Sequence, residues 1–186
     1  MNSIPTLTTA NLSLRKTRAS DAGDVFRQYA QNPNVTRYLK WKPHRDISDT
    51  HAFLAATLSD LREGKTLPWV ISILGHEPEV VGMIAAHIDG HKAMVGYVLS
   101  EEHWGRGYMS ESLKVVLDYL RDARPDLARI WAFCDVENPG SARVMENAGM
   151  QREGILRAYA TNAEEIPVDC IVCSWVRGRS DAATEG

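Results

Sequence analysis

The stretch from residue 67 to residue 120 constrains this chain more than any other. Three apolar runs, at 67–74, 80–88 and 93–99, are separated by two turn signals, Gly75-His76-Glu77-Pro78 and Asp89-Gly90. Asp-Gly between short apolar runs is a strong hairpin signal, so the three runs read as an antiparallel meander. The polarity then changes period. Met109, Leu113, Val116, Leu117 and Leu120 share one stripe at helical spacing. Between last strand and helix lies His103-Trp104-Gly105-Arg106-Gly107-Tyr108-Met109-Ser110.

A strand, a short glycine-bearing loop and a helix N-terminus together make an anion site. The first-turn N–H groups lack helical partners, and the helix dipole favours negative charge there. Gly105 and Gly107 leave no side chain in the way of a phosphate, Ser110 adds a hydroxyl and Arg106 a cation. The loop is not a Walker loop, because no Gly-Lys-Ser/Thr follows. Nor is it a dinucleotide fingerprint. The third glycine is missing, and the preceding segment is a meander rather than a βαβ unit.

The remaining elements surround this centre. Residues 11–15 alternate in polarity as a first strand. Ser20 reads as an N-cap for a helix carrying Ala22, Val25, Phe26, Tyr29 and Ala30, which Asn32-Pro33 stops. Residues 36–41 read as a connecting turn. A second helix from about Ser48 carries Phe53, Leu54, Thr57, Leu58 and Leu61, and ends at Gly64. Residues 130–134 form a short strand. Asn138 caps a further helix with Pro139 at its first position, and Gly149 closes it. Residues 154–159 and 168–176 are two last strands, joined by a polar loop through Asn162, Glu164 and Glu165. One mixed α/β sheet with helices on its faces is the natural packing, as a single domain over 1–178 with a polar tail at 179–186.

Bulk properties narrow the function. The 186 residues carry a formal charge of −3, so no global basic field favours nucleic acid or an anionic membrane. No apolar run approaches the roughly 18 residues of a spanning helix, and no secretory pattern opens the chain, so a cytoplasmic protein is expected. The three cysteines do not suggest a disulfide framework. Cys170 and Cys173 form a CxxC, but on a strand their sulfurs point to opposite faces, and no metal site is expected.

The loop has a partner motif in Asn138-Pro139-Gly140-Ser141-Ala142-Arg143-Val144-Met145, some 30 residues on. With Gly96-Tyr97-Val98-Leu99 and the Trp-Gly-x-Gly-Tyr loop, this resembles the GNAT superfamily of acetyl-CoA-dependent N-acetyltransferases. Within it, the chain looks most like the Rim-type branch that acetylates N-terminal amines of ribosomal proteins. The resemblance implies the GNAT acyl-CoA N-acyltransferase fold, a mostly antiparallel sheet splayed at a cofactor cleft. It implies acetyl-CoA as co-substrate and an amine as acceptor, with direct attack of the neutral amine on the thioester. It also implies that the backbone of Tyr97, Val98 and Leu99 holds the pantetheine arm, with the Leu99 N–H facing the thioester oxygen. The N–H groups of Gly105, Arg106, Gly107, Tyr108, Met109 and Ser110 would hold the pyrophosphate. Asn138 and Ser141 would lie beside the pantetheine and sulfur, with Ser141 as candidate donor to the departing thiolate or as a purely cofactor-fixing residue.

Three positions depart from the family pattern. Met145 stands where many members carry a tyrosine acid, and Met94 where some carry a carboxylate. Glu102 replaces the usual Gln or Arg at the start of the loop. No general base is visible, with Glu101 and His87 as weak candidates. By family analogy Trp41, His44, Trp69 and the 160s loop are candidates for the acceptor pocket, and Trp175 for a homodimer contact. The acceptor is open at this level. A protein N-terminus, a small-molecule amine and a non-catalytic acetyl-CoA sensor all fit the residues.

Overall fold

The computed structural model describes residues 4–178; the expected tail at 179–186 lies outside them. An eight-stranded sheet runs in the order β1-β2-β3-β4-β5-β6-β8-β7. β1 (Leu7–Thr8), β2 (Leu12–Lys16), β3 (Thr66–Ile73), β4 (Gly82–Asp89) and β5 (Lys92–Leu99) form a continuous antiparallel meander. β6 (Arg129–Asp135) is parallel to β5. β8 (Pro167–Val176) then lies between β6 and β7 (Gln151–Thr161), so the last hairpin folds back into the sheet by its second strand. The two-residue strand β1 had no signal in the polarity pattern.

Pairing of β5 with β6 covers only Lys92↔Arg129, Ala93↔Ile130 and Met94↔Trp131. Beyond Met94 the two strands diverge, and a V-shaped opening separates the C-terminal half of β5 from that of β6. Two helix layers flank the sheet. α4 (Tyr108–Ala123) and α5 (Pro139–Asn147) cover the face that carries Leu14, Ile71, Ile84, Val95 and Leu99. On the other face, α1 (Ala22–Val25), a π turn (Phe26–Ala30), α2 (Pro33–Thr36) and α3 (Ile47–Arg62) pack Val25, Tyr29 and Phe53 against Val70, Met83 and Val98. These are called the inner and outer faces below.

The local structure departs from expectation at the start of the first helix and sharpens several other readings. Ser20 is not the cap of the first helix. Asp21 occupies that position for α1, and its carboxylate also accepts the Arg18 backbone N–H across the preceding 3-10 turn at 2.8 Å. Asp21 is itself buried and receives both terminal nitrogens of Arg15, at 3.1 and 2.8 Å. Because Asp21 can also chelate the preceding turn, it outcompetes the serine. Asn32-Pro33 ends one helical segment but begins another. The Asn32 carboxamide accepts from the Asn34 N–H, and Pro33 takes the first position of α2, where a missing N–H costs nothing. α3 starts one residue before Ser48, because Asp46 provides the cap. The CxxC is a pair of buried free thiols, with Cys173 opposite Ala132 and Cys170 opposite Asp135. Trp175 packs against the inner core between the guanidinium groups of Arg121 and Arg177, 4.7 and 5.1 Å from its ring.

Candidate active site

The hydrogen-bond parity of the β4–β5 hairpin decides what lines the opening. Ser100 donates its N–H to the Val81 carbonyl, in register with the Gly82↔Leu99 pair. Backbone groups alternate sides along an antiparallel strand. Val98 therefore spends its N–H and C=O on β4, while those of Tyr97 and Leu99 face the V. Of the three β5 residues expected to offer backbone there, Val98 does not; its side chain joins the outer core. The Leu99 carbonyl accepts from the Trp104 indole at 2.9 Å. Its N–H is left facing the opening.

The loop after β5 is shaped by two left-handed glycines, Gly105 at φ 72° and Gly107 at φ 78°, and a Cβ on either would meet nothing within 4 Å. Gly107 is the N-cap of α4, and the first intrahelical bond runs from the Glu111 N–H to its carbonyl. The N–H groups of Tyr108, Met109 and Ser110 thus have no helical acceptor. Arg106 is exposed and Tyr108 half-buried beside His103, whereas the Met109 side chain lies in the core, so Met109 offers only backbone. On the far wall, Asn138 caps α5 by accepting the Ser141 N–H at 3.1 Å. The Ser141 hydroxyl lies 2.7 Å from the Tyr97 hydroxyl, which also donates to the Ser141 carbonyl at 3.1 Å. The structure thus brings Tyr97, Leu99, the glycine loop, Asn138 and Ser141 around one opening. Met145 is fully buried in the core and takes no part in it.

The outer face leads away from the vertex of the V. Gly96 sits there between Met94 and Val98, opposite Ala85, and a Cβ on it would have nothing within 4 Å. On the same face, Trp41, His44 and Phe53 cluster with ring centroids 4.9–6.3 Å apart, and Trp41 and Phe53 pack against the outer core as Val98 does. Lys40 reaches across to the Phe133 ring at 5.6 Å. Trp131, Phe133 and Tyr159 form a second aromatic cluster on the far side. From Met94 and Trp131 a groove of about 560 Å³ runs past His87, Arg129 and Tyr159 toward the exposed edge strand β7.

The candidates outside the loop divide. His44 is on the outer face, packed against Trp41. Its Nδ1 is 2.8 Å from the buried Thr50 hydroxyl, and burial lowers its pKa against an opposing pull from Asp49. Trp69 is on the wrong face, fully buried on the inner side and donating its indole N–H to the Pro5 carbonyl. Glu101 is bound by the Asn32 and Asn34 carboxamides at 2.8 and 2.9 Å. The His87 Nδ1 is 3.0 Å from the Thr66 hydroxyl. Glu102, Glu164 and Glu165 are exposed. The contact of the Tyr97 hydroxyl with Ser141 and the bare face at Gly96 are not signalled by the sequence. The Gly96-Tyr97 pair was in view, but nothing local in a sequence reports which face of a strand is bare.

Comparison with known proteins places this geometry. A model of the acetyltransferase (GNAT) domain matches residues 11–151. The chain belongs to the GNAT family of acetyltransferases. This GNAT chain is 34% identical to an uncharacterized N-acetyltransferase, p20, from Bacillus licheniformis, over 83% of its own length and 86% of that protein. It is 31% identical to YoaA of Bacillus subtilis, an uncharacterized N-acetyltransferase, over 94% and 98% of the two chains. Among solved structures, a GNAT acetyltransferase from Bacillus anthracis superposes with a TM-score of 0.79 at 26% identity, covering 92% of this chain and 98% of that one. RimL, the ribosomal L7/L12 α-N-protein acetyltransferase solved with coenzyme A, shares the fold at a TM-score of 0.81 and 21% identity, over 93% and 97%. The chain is an acetyl-CoA-dependent N-acetyltransferase. Among the described residues, no helix is long and apolar enough to cross a membrane.

Proposed function

We propose that this GNAT enzyme acetylates the N-terminal amine of a cytoplasmic protein, as the name of the structurally similar RimL states for a ribosomal protein. The observation that carries the reading is the outer-face groove. It begins at Met94 and Trp131, where β5 and β6 part, and is lined on its far side by Ile155 and Leu156 of the edge strand. An amine entering over Gly96 would reach the vertex, and the chain behind it would have the groove to lie in. A small closed acceptor would need no such extension.

On this reading the α4 N-terminus and the loop N–H groups from Gly105 to Ser110 hold the pyrophosphate of acetyl-CoA. Tyr97 and Leu99 offer backbone to the pantetheine arm. The Leu99 N–H, fixed in the strand, is the donor to the thioester oxygen as that oxygen gains charge; a preorganised donor there costs no rearrangement during attack. The amine nitrogen bonds to the carbonyl carbon, the C–S bond breaks, and the proton shed by nitrogen reaches sulfur through solvent. Ser141 supplies a hydrogen bond to the departing sulfur.

A panel of acceptors tests this reading. Peptides beginning with Ser, Ala or Met, the same peptides blocked at the N-terminus, and common small amines are incubated with acetyl-CoA while free thiol is followed. Turnover of free-amine peptides alone supports the proposal. Turnover of small amines alone overturns it in favour of a small-molecule enzyme. No release above the hydrolytic background overturns it in favour of a sensor.

A further inference from the structure

Tyr97 lies three residues past Met94, the last residue of β5 with a partner on β6. Its side chain projects to the inner face and spans the opening to reach α5, where its hydroxyl meets both oxygens of Ser141. The residue is half-buried. The ring packs against the inner core, and the thiols of Cys134 and Cys173 are among its electrostatic neighbours. A serine in the first turn of a helix ordinarily turns among three rotamers and can bond locally to the backbone. Here a fixed phenol removes that freedom.

We propose that Tyr97 is the positioning residue for Ser141, holding the serine hydroxyl toward the sulfur of the acetyl donor. The inference rests on the reading of Ser141 given above. A phenol carries one hydrogen and faces two acceptors, the Ser141 carbonyl and the Ser141 hydroxyl oxygen. When Tyr97 donates to the hydroxyl oxygen, the serine hydrogen is free to face the cleft. Burial holds the Tyr97 pKa well above the ordinary phenol value, so the ring stays neutral and orients rather than ionises. No proton is consumed at Tyr97 or at Ser141. Each keeps its own hydrogen, and the sulfur is protonated by the equivalent that nitrogen releases. Charge developing on the departing sulfur strengthens the serine hydrogen bond in the transition state, so the effect belongs in kcat rather than in donor affinity.

A double-mutant cycle tests it. Tyr97→Phe removes one oxygen and keeps the ring, so folding, checked by thermal melting, should persist. Tyr97→Phe should lower kcat by about five- to tenfold with the KM for acetyl-CoA held within about twofold, and Ser141→Ala should lower it at least as much. The double variant should be no slower than Ser141→Ala alone, because Tyr97 acts only through that hydroxyl. An unchanged kcat in Ser141→Ala overturns the underlying reading of the serine. A slower Ser141→Ala with multiplying effects in the double variant overturns the role of Tyr97 alone. So does a Tyr97→Phe enzyme whose KM rises as much as its kcat falls.

Discussion

The Trp104 indole N–H donates to the Leu99 carbonyl at 2.9 Å, and the peptide unit that carries this carbonyl is pinned at its other end by the bond from Ser100 N–H to Val81. The loop after β5 is therefore tied to the strand whose backbone faces the cleft. Trp104 is 48% exposed, so its value lies in this bond more than in burial. A hydrogen bond of this kind is worth about 0.5–1.5 kcal/mol net. Trp104→Phe should lower the melting temperature by only about 1–6 °C and raise the Kd for acetyl-CoA by about two- to tenfold, since an untethered loop must be ordered on binding. Calorimetric titration of the two proteins reads this directly, and equal affinities would mean that the tether does not act on the donor site.

Gly107 makes a more severe test of the loop. It caps α4 at φ 78°, and no atom lies within 4 Å of where its Cβ would be. A β-branched residue there costs about 1–2 kcal/mol in the left-handed conformation, strain that the loop relieves by shifting the N–H groups it presents. Gly107→Val should keep its far-UV circular dichroism while acetyl-CoA affinity falls by tenfold or more, about 1.4 kcal/mol per factor of ten. Unchanged affinity would remove the loop from the donor site.

The parts legible in the sequence were those written in short-range patterns. The β4–β5 hairpin showed in Asp89-Gly90, α4 in its apolar stripe, and α5 in Asn138-Pro139, which are indeed its cap and first position. What escaped was set by contacts between distant segments. The placement of β8 beside β6 depends on which strand of a hairpin finds a buried edge, and neither strand's composition says so. The Tyr97–Ser141 contact joins residues 44 apart. Only strand parity tells that Val98 gives its backbone to β4 while Leu99 faces the cleft. Trp69 and Trp41 look alike as candidates, yet one step of register versus a loop position puts them on opposite faces of the sheet.

His44 supplies the pH dependence. Burial among Trp41, Phe53 and Thr50 holds its pKa below the ordinary histidine value, with Asp49 opposing only in part. The folded protein therefore binds this proton less readily than the unfolded chain. Its contribution to stability is full above about pH 6.5, the ordinary histidine value, and is lost as pH falls through the lower folded value. Two-dimensional NMR of the imidazole should give a His44 midpoint below 6.5, and His44→Gln should flatten the acid side of the stability curve. A midpoint above 6.5 would place Asp49, not burial, in control.

Gly96 separates the two halves of the site. Its neighbours along the outer face, Met94 and Val98, bracket the bare spot where an acceptor would approach the vertex, while the donor-side groups of Tyr97 and Leu99 lie across the strand. A glycine inside a strand gives up packing and raises the entropy lost on folding, and a site of close ligand approach is one reason to keep it. Gly96→Val fits the strand conformation, because φ is not positive there and the added methyls enter empty space. Its stability should hold or rise. Filling the floor with three carbons should raise the KM of the acceptor by about tenfold or more, on the scale of one to three kcal/mol for such a steric change in a pocket. The Kd for acetyl-CoA should stay within about twofold, since the valine faces away from the donor backbone. Steady-state kinetics with acceptor varied at saturating acetyl-CoA, paired with calorimetry for the donor, distinguishes the outcomes. Loss of donor affinity with acceptor KM intact would move the acceptor off the outer face and end the groove's claim to it.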